Sequence, residues 1–329
     1  MNAMSTPVVP FVIGQWVRGP RFYGREAEIA GLLEARQRWL WIAGLRRIGK
    51  TSLLKQLDHL SSAGSRSVPL FWDLQGVGSA EELGLTFTDA LLDAEETLTG
   101  LGIALSKFDD GDFFASIDKL ARALQGRGTE LLLLIDEADE LMTIDRSAPG
   151  LVARLWQAVA AFEAARVVLA SSPRLCDHGG VGTEPFAKPR FLGALTDDEA
   201  RSLLRQDRLP AGSRPAFDAA CVEAIRDGCG NHPMLLQIVA KRCLETEDAE
   251  EALRQVAADR SVQHLLAVDF DLLASAEQEL LRSLALGDLP FDTEPAAVER
   301  LLRLGLIRYG EPGGLTVPNR FLAAWLRGS

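Results

Sequence analysis

The sequence predicts an α/β fold in which a doubly wound parallel sheet is followed by consecutive helices. Short apolar runs typical of strands alternate with helical patterns as far as about residue 193. A glycine-containing stretch at residues 44–51 separates one such run from a helical pattern, and from residue 194 helical patterns follow one another. Alternating strands and helices are typical of right-handed βαβ units, which place helices on both faces of a parallel sheet.

Residues 44–51 (GLRRIGKT) match the pattern G-x-x-x-x-G-K-[ST] at every position. An apolar run at residues 39–43 precedes this stretch, and an amphipathic pattern follows it with Leu53, Leu54, Leu57 and Leu60. A loop in this position turns backbone N–H groups inward, and the helix start adds positive charge, so an anion is bound there. The pattern therefore predicts the phosphate loop of a P-loop NTPase, with a glycine-rich turn that binds nothing as the alternative.

The phosphate loop, residues 44–51, and the residue after it provide most of the predicted nucleotide contacts. Glycine suits positions where the backbone approaches phosphate or takes a positive φ. We expect Lys50 to reach the β- and γ-phosphates of ATP, and the Thr51 hydroxyl to coordinate Mg²⁺. The predicted nucleotide-binding residues in this stretch are Gly44, Arg46, Arg47, Ile48, Gly49, Lys50, Thr51 and Ser52.

A second predicted half of the site follows the uninterrupted apolar run at residues 131–135. Such a run is typical of a strand that is buried on both faces of a parallel sheet. Asp136, at the end of this strand, is predicted to hold Mg²⁺ opposite Thr51. Glu137 is predicted to orient and deprotonate the water that attacks the γ-phosphate. The alternative is that the two acidic residues only cap the next helix.

Polar residues also end the strands predicted at residues 68–73 and 167–171. In open α/β sheets the ligand lies at the carboxyl ends of the strands. Ser171 and Ser172 are therefore predicted to act on the γ-phosphate or the attacking water, with a polar turn as the alternative. Asp73 either supports the metal or caps a turn. Three arginines are candidates for a finger on the γ-phosphate or for solvated surface groups: Arg146, Arg174 and Arg190.

The C-terminal part of the sequence carries helix-start signals. Residues 196–199 (TDDE) form a capping-box pattern, and Asp248 with Glu251 repeats it. Pro233 suits the first turn of a helix. Residues 275–325 predict two helices, a hairpin and a last helix, which is the order of a winged helix.

Composition limits the classes of partner and compartment. The net charge of −11 opposes broad attraction to nucleic acid and to anionic membranes. The four cysteines form no C-x-x-C pair and indicate free thiols in a reducing compartment rather than a zinc site. No apolar run approaches the ~20 residues of a membrane span, and no signal peptide is predicted. The sequence therefore predicts a cytoplasmic protein that makes no membrane contact.

Four motifs occur in an order that resembles one group of ATPases. They are residues 22–26 (FYGRE), 44–52 (GLRRIGKTS), 131–139 (LLLLIDEAD) and 230–233 (GNHP). Together they resemble the prokaryotic AAA+-like ATPases of the STAND and "archaeal ATPase" groups, which are relatives of the origin-recognition ATPases. The resemblance covers roughly residues 20–329.

The resemblance implies a sheet of strand order 5-1-4-3-2, an all-helical lid and a C-terminal winged helix. It also implies that Gly24 and Arg25 lie near the adenine, and that Pro233 brings a lid helix over the nucleotide. Taken alone, residues 230–233 predict only a helix start with proline in its first turn. The implied domains are an N-terminal extension at 1–20, the ATPase core at 21–193, the lid at 194–266 and the winged helix at 267–329.

The sequence departs from this group in three places. The chain has no room for a long repeat array or an effector domain. Residues 317–320 (VPNR) replace a histidine-containing motif of some members, and Lys241 and Arg242 are several residues away from the usual lid arginine. Residues 136–139 also spell the DEAD signature of RNA helicases, but the C-terminal half predicts helices and a wing instead of a second helicase domain.

Three functions fit these patterns. The first is an ATPase of slow turnover that acts as a molecular switch on a partner protein or within a homo-oligomer. The second is a nucleotide-regulated DNA-binding initiator or transcriptional regulator. Charge disfavours DNA, because residues 267–329 carry six arginines and nine acidic residues, a net charge of −3. The third is a scaffold that binds nucleotide without hydrolysis, which Glu137 disfavours.

Overall fold

The computed structural model describes residues 10–62, 67–108, 113–177, 185–186, 188–288, 293–310 and 313–328. The chain divides into two compact units. The first, the sheet unit, comprises Ala27–Gly44 and Lys50–Arg190. The second, the helical unit, comprises Met1–Glu26, Leu45–Gly49 and Phe191–Ser329. The phosphate loop therefore contributes its middle residues to the helical unit, although the strand and the helix on either side of it belong to the sheet unit.

A five-stranded sheet of order β2-β3-β4-β1-β5 confirms the predicted parallel α/β fold and the strand order that the resemblance implies. The printed pairings of β1 with β4, β2 with β3, and β3 with β4 are all parallel. The strands are β1 Trp39–Ala43, β2 Ser67–Asp73, β3 Glu130–Asp136, β4 Ala165–Ser171 and β5 Arg190–Phe191. All but the first residue of β3 are buried, as its unbroken apolar run predicts.

The register of the strands brings their carboxyl ends to one edge of the sheet. Ala43 is paired with Ser171, and Asp73 is paired with Asp136. The phosphate loop leaves β1 at this edge, beginning at Gly44. The predicted site residues on three separate strands therefore end at the same edge, as expected for an open parallel sheet.

Helices flank this sheet, and apolar residues of the helices between Ala80 and Asp177 form one core with it. Their ranges are α1 Glu26–Leu33, α2 Lys50–Ser62, α3 Ala80–Asp93, α4 Glu95–Gly100, α5 Phe113–Gln125, α6 Glu140–Ser147, α7 Leu151–Ala160 and α8 Arg174–Asp177. Leu53, Leu54 and Leu57 of α2 are buried as predicted. Leu60, the last leucine of the predicted amphipathic pattern, is 42% exposed, because it lies in the last turn of α2.

The helical unit contains the predicted consecutive helices and hairpin. Its elements are α9 Asp197–Arg205, α10 Ala219–Cys229, α11 Pro233–Thr246, α12 Ala249–Ala257, α13 Arg260–Asp271, α14 Ser275–Leu286, α15 Pro295–Leu304, β6 Arg308–Tyr309, β7 Leu315–Thr316 and α16 Arg320–Gly328. The order of α14, α15, hairpin and α16 is that of the predicted winged helix. Thr196 and Glu199 form the predicted capping box of α9, and Pro233 opens α11. Helices α6 and α13 were not predicted from the sequence.

Part of the N-terminal segment belongs to the core of the helical unit. Phe11 is 2% exposed and stacks on Phe217, with ring centroids 6.1 Å apart. Tyr23 and Leu45 join the same apolar cluster as helices α9–α16. The predicted N-terminal extension therefore places Phe11 in this core, which the sequence did not indicate because a single aromatic side chain among prolines and glycines has no periodic signal.

All four cysteines are free, as predicted, and two of them, Cys229 and Cys243, are buried. Within the described ranges, no helix combines the length and the apolar character needed to cross a bilayer.

Candidate functional site

The phosphate loop begins where β1 ends. The N–H of Gly44 donates to the carbonyl of Ser171 on β4 at 3.1 Å, which continues the sheet pairing by one residue. Arg47 then has φ +59° and Gly49 has φ +104°. Side chains are strongly disfavoured at the Gly49 angle, so the glycine of the pattern is needed for its conformation. Helix α2 starts directly after it at Lys50, so the loop leads into a helix start, whose first N–H groups have no acceptor within the helix itself.

Lys50 directs its ammonium group back across the phosphate loop. Its side chain is 7% exposed, and Nζ donates to the carbonyl oxygen of Gly44 at 3.1 Å. A buried ammonium beside a helix N-terminus concentrates positive charge within one turn of chain. This arrangement suits the β- and γ-phosphates that the sequence predicts for this lysine.

Asp136 and Thr51 meet, as predicted from separate motifs. Asp136 is 2% exposed, and the Thr51 hydroxyl lies near enough to its carboxyl group to influence its pKa. Burial raises the pKa of Asp136, while the Thr51 hydroxyl and the Lys50 ammonium act in the opposite direction. Oδ1 of Asp136 is buried and has no hydrogen-bond partner among the described residues. A buried carboxylate oxygen left open beside a hydroxyl suits Mg²⁺, which takes one or two protein oxygens together with phosphates and waters.

Glu137 lies next to this pair in a strained backbone conformation. Its φ is +50°, which is uncommon for a residue other than glycine and recurs at functional sites. Burial raises the pKa of Glu137, the Lys50 ammonium lowers it, and the charge of Asp136 raises it further. A carboxylate whose pKa is raised is a better proton acceptor, so the geometry fits the predicted role as a base.

The two predicted catalytic serines have protein partners. Ser171 is fully buried, and its Oγ accepts from Nε1 of Trp41 at 2.9 Å and donates to the Ser172 carbonyl at 2.9 Å. These two bonds favour the alternative, a polar residue of the strand end and turn, and the predicted action of Ser171 on the γ-phosphate or the attacking water stays a prediction. Ser172 donates from Oγ, and from its backbone N–H, to the carboxylate of Asp139, each at 2.6 Å. Its predicted contact with the γ-phosphate stays a prediction.

Other candidates from the sequence lie in local contacts. The carboxylate of Asp73 accepts from the N–H of Gln75 at 2.9 Å, which is the turn-capping alternative. Arg146 donates to residues of its own helix, and Arg190 donates to the Gly31 carbonyl at 3.1 Å. These bonds favour the surface interpretation for both arginines over the finger.

The middle of the phosphate loop packs within the helical unit. Leu45 and Ile48 are buried, whereas the side chains of Arg46 and Arg47 are exposed. The N–H of Arg46 donates to Oδ1 of Asp269 on α13 at 3.0 Å. The Arg46 N–H is thus already donated within the protein, and the predicted contribution of the two arginines to nucleotide binding stays a prediction.

The segment predicted near the adenine is bound to the start of α9. The N–H of Arg25 donates to Oε1 of Glu199 at 2.5 Å, and its guanidinium donates to the carbonyls of Gly193 and Ala194. A Cβ on Gly24, where φ is +76°, would lie 2.9 Å from Cβ of Glu199. An adenine contact through the Arg25 amide requires displacement of Glu199, so this contact stays a prediction.

The turn at residues 230–233 joins α10 to α11. Gly230 has φ +56°, and a Cβ there would lie 2.8 Å from the backbone N of Asn319. Nδ1 of His232 accepts from the Leu235 N–H at 3.4 Å and so caps α11. Burial lowers the pKa of His232 to about 4, and its Nε2 is buried without a hydrogen-bond partner in the described ranges. Pro233 occupies the first helical turn as predicted; its contact with nucleotide is untested.

Sequence reasoning missed Glu199, Asp139 and Asp269 as residues that hold site segments in place. Glu199 was identified only as half of a capping box. No spacing rule joins Asp269 to the phosphate loop, because the two partners are 223 positions apart. Asp139 is the last residue of the motif at residues 131–139, two positions after Glu137. This closeness in sequence was the only indication that Asp139 lies near the site.

The architecture matches solved structures over almost the whole chain. The Walker-type ATPase of Pyrococcus abyssi matches with a TM-score of 0.65 at 17% identity, covering 97% of this chain and 99% of that chain. The chain has the fold of the P-loop ATPases. The Aeropyrum pernix ORC2 protein has the same P-loop fold in its ADP form, with a TM-score of 0.55, 16% identity and coverage of 97% and 96%. Its ADPNP–ADP complexes match with a TM-score of 0.54 at 16% identity over 92% and 90% of the two chains.

These matches confirm the predicted resemblance at the level of the P-loop fold. No protein-family model matches the sequence. No curated protein matches it either.

Proposed function

We propose that this protein is an ATPase that binds ATP with Mg²⁺ in the phosphate loop and hydrolyses it slowly. The observation that carries the proposal is the buried Asp136 carboxylate, which lies beside the Thr51 hydroxyl and whose Oδ1 has no hydrogen-bond partner in the part of the chain that the structure describes. Burying a carboxylate is costly unless a cation or hydrogen bonds compensate for it. A metal ion held between Thr51 and Asp136 would offset the free-energy cost of burying the carboxylate. A purely structural role for Asp136 would not explain why the protein accepts that cost.

Each residue of the proposed site has a separate role in ATP binding or hydrolysis. Backbone N–H groups of the phosphate loop bind the phosphates, and Lys50 binds the β- and γ-phosphate oxygens. Thr51 and Asp136 would hold Mg²⁺, which when bound neutralises charge on the β- and γ-phosphates. Glu137 orients the attacking water and accepts its proton while the bond to the leaving ADP breaks. Asp139 keeps Ser172 in place at the end of β4.

The choice of nucleotide is supported by similar structures. The two structures of the Aeropyrum pernix ORC2 protein are described as ADPNP–ADP complexes and as an ADP form. We extend adenine nucleotides to this chain on that basis. Gly24, Arg25 and Pro233 are proposed near the adenine, with Arg25 reached only when Glu199 moves.

The proposed output is a molecular switch that acts on a partner protein or on another copy of the chain. In this proposal the lid (194–266) and the winged helix (267–329) carry the signal. A DNA-binding regulator is the alternative, and the net negative charge of residues 267–329 disfavours it. Salt-dependent binding of duplex DNA by the full-length chain would favour that alternative.

Calorimetric titration with ATPγS and ADP in the presence of Mg²⁺ tests the proposal. Wild type is expected to bind both nucleotides, and Lys50→Ala is expected to lose most of its affinity because the phosphate charge is no longer compensated. Lys188→Ala removes an exposed lysine of the same unit and serves as the matched control. Equal affinities for wild type and Lys50→Ala would overturn the proposed site.

A further inference from the structure

Helix α13 holds the phosphate loop through a buried carboxylate. Asp269 is 9% exposed, and its Oδ1 accepts the backbone N–H of Arg46 at 3.0 Å. A hydrogen bond from an amide to an ionised carboxylate is stronger than one between neutral groups. Arg46 lies between two residues, Gly44 and Arg47, that are fixed by a sheet bond and by a left-handed φ respectively. The Asp269 bond therefore sets the direction of the loop at its third position.

A second set of contacts ties the same part of the loop to α13. Leu45 is 3% exposed and belongs to the apolar cluster that includes Leu266 and Phe270. A cavity of about 30 Å³ lies among Leu45, His232, Asp269 and neighbouring leucines. This volume accommodates about one water molecule, so the loop packs closely against the helix apart from that point.

Helix α13 also contacts two elements of the C-terminal region. Phe270, the residue after Asp269, packs edge-on against Trp325 of α16, with ring centroids 5.4 Å apart. The guanidinium of Arg282 on α14 lies 4.7 Å from the centre of the Phe270 ring. One turn of α13 therefore touches the phosphate loop on one side and α14 and α16 on the other.

We propose that Asp269 is a positioning residue that holds the phosphate loop in its binding conformation and couples nucleotide occupancy to α13. The proposal rests on the proposed nucleotide binding and adds the element through which it is transmitted. Nucleotide that orders residues 44–51 orders α13 through the Arg46–Asp269 bond. Loss of the acceptor frees the loop, which weakens binding and disconnects the helix.

Three variants separate this role from a general structural one. Asp269→Ala removes the acceptor, Asp269→Asn keeps a carbonyl oxygen that can accept the same N–H, and Asp271→Ala removes an exposed carboxylate from the same helix. ADP affinity is measured by calorimetry. Amide hydrogen exchange of residues 44–51 and 260–271 is followed by mass spectrometry, with and without ADP and Mg²⁺.

We expect Asp269→Ala to bind ADP about tenfold more weakly, as expected for loss of a charged hydrogen bond. In that variant residues 44–51 exchange faster without nucleotide, and ADP no longer slows exchange in residues 260–271. Asp269→Asn and Asp271→Ala keep the wild-type response of α13. Wild-type affinity or tighter binding in Asp269→Ala, or an unchanged α13 response, overturns the role of Asp269 alone. Failure of the wild-type protein to bind ADP overturns the proposed function and this inference together.

Discussion

The indole Nε1 of Trp41 donates to Oγ of Ser171 at 2.9 Å and joins the ends of β1 and β4. Both side chains are buried, and the Ser171 hydroxyl donates a hydrogen bond to the Ser172 carbonyl. This bond crosses the sheet at the point where the phosphate loop begins. We therefore expect Ser171 to stabilise the edge of the sheet that carries the site.

Ser171→Ala is expected to lower the free energy of unfolding by about 1–3 kcal/mol, because the Trp41 N–H is left buried without an acceptor. The rate of ATP hydrolysis is expected to stay unchanged in the folded variant. Urea denaturation and single-turnover hydrolysis measure the two effects. Adding Trp41→Phe removes the orphaned donor and should recover part of the loss. Unchanged stability together with a large loss of rate would restore Ser171 as a catalytic residue.

Glu137→Gln is expected to bind ATP like wild type but to hydrolyse it about 10²–10⁴-fold more slowly, because amides do not accept the proton of water. Burial raises the pKa of Glu137, and a general base works only when ionised. Activity of the wild type should therefore fall on the acid side at a pH above the ordinary range of a glutamate. A pH profile of single-turnover hydrolysis measures this limb. The same rate and the same limb in Glu137→Gln would exclude Glu137 as the base.

Asp136→Asn is expected to stabilise the nucleotide-free protein. Burial raises the pKa of Asp136 in the folded state, so the folded form binds the proton more tightly than the unfolded form. Stability therefore falls as pH rises through the pKa that Asp136 has in the folded protein. Replacing the charge should raise the urea midpoint at pH 7 while the Mg²⁺ dependence of nucleotide binding disappears. A lower midpoint would mean that the Asp136 charge is compensated by the fold itself.

The sheet and its edge were predictable because local patterns determine them. The unbroken run before Asp136 predicts a strand buried on both faces, and a glycine at position 49 is required by its positive φ. The meeting of Thr51 with Asp136 follows from parallel strands that end at one edge. These features need only short spacings or a general rule of sheet topology.

The supporting contacts were not predictable because no pattern in the sequence joins their partners. Trp41 and Ser171 are 130 positions apart, and Arg25 and Glu199 are 174 positions apart. A hydroxyl at the end of a strand has the same sequence signature whether it faces a phosphate or an indole. The sequence alone therefore leaves both interpretations of Ser171 open.

Lowering the pH is expected to weaken the ion pairs that Glu223 forms with Arg201 and Arg226 in the helical unit. Arg201, with a further contribution from Arg226, lowers the pKa of Glu223 to about 2. A carboxylate with a lowered pKa stabilises the fold when ionised, and this contribution is lost as pH falls from about 4.3 through that lower value. The stability difference between wild type and Glu223→Gln should therefore be small, because the pair is partly exposed, and should vanish towards pH 2.

Urea denaturation at a series of pH values measures this difference. Glu279→Gln, which removes an exposed glutamate of α14, is the control and should show no such convergence with the wild type. A difference between wild type and Glu223→Gln that persists to pH 2 would contradict the assignment to ionic pairing.

The most direct test of the nucleotide site is anomalous diffraction from crystals grown with Mn²⁺, in place of Mg²⁺, and a non-hydrolysable ATP analogue. We expect one strong manganese peak, with the ion coordinated by the Thr51 hydroxyl, the Asp136 carboxylate beside it and the triphosphate along the phosphate loop. A peak away from Thr51 and Asp136, or an analogue bound outside the loop, would contradict it.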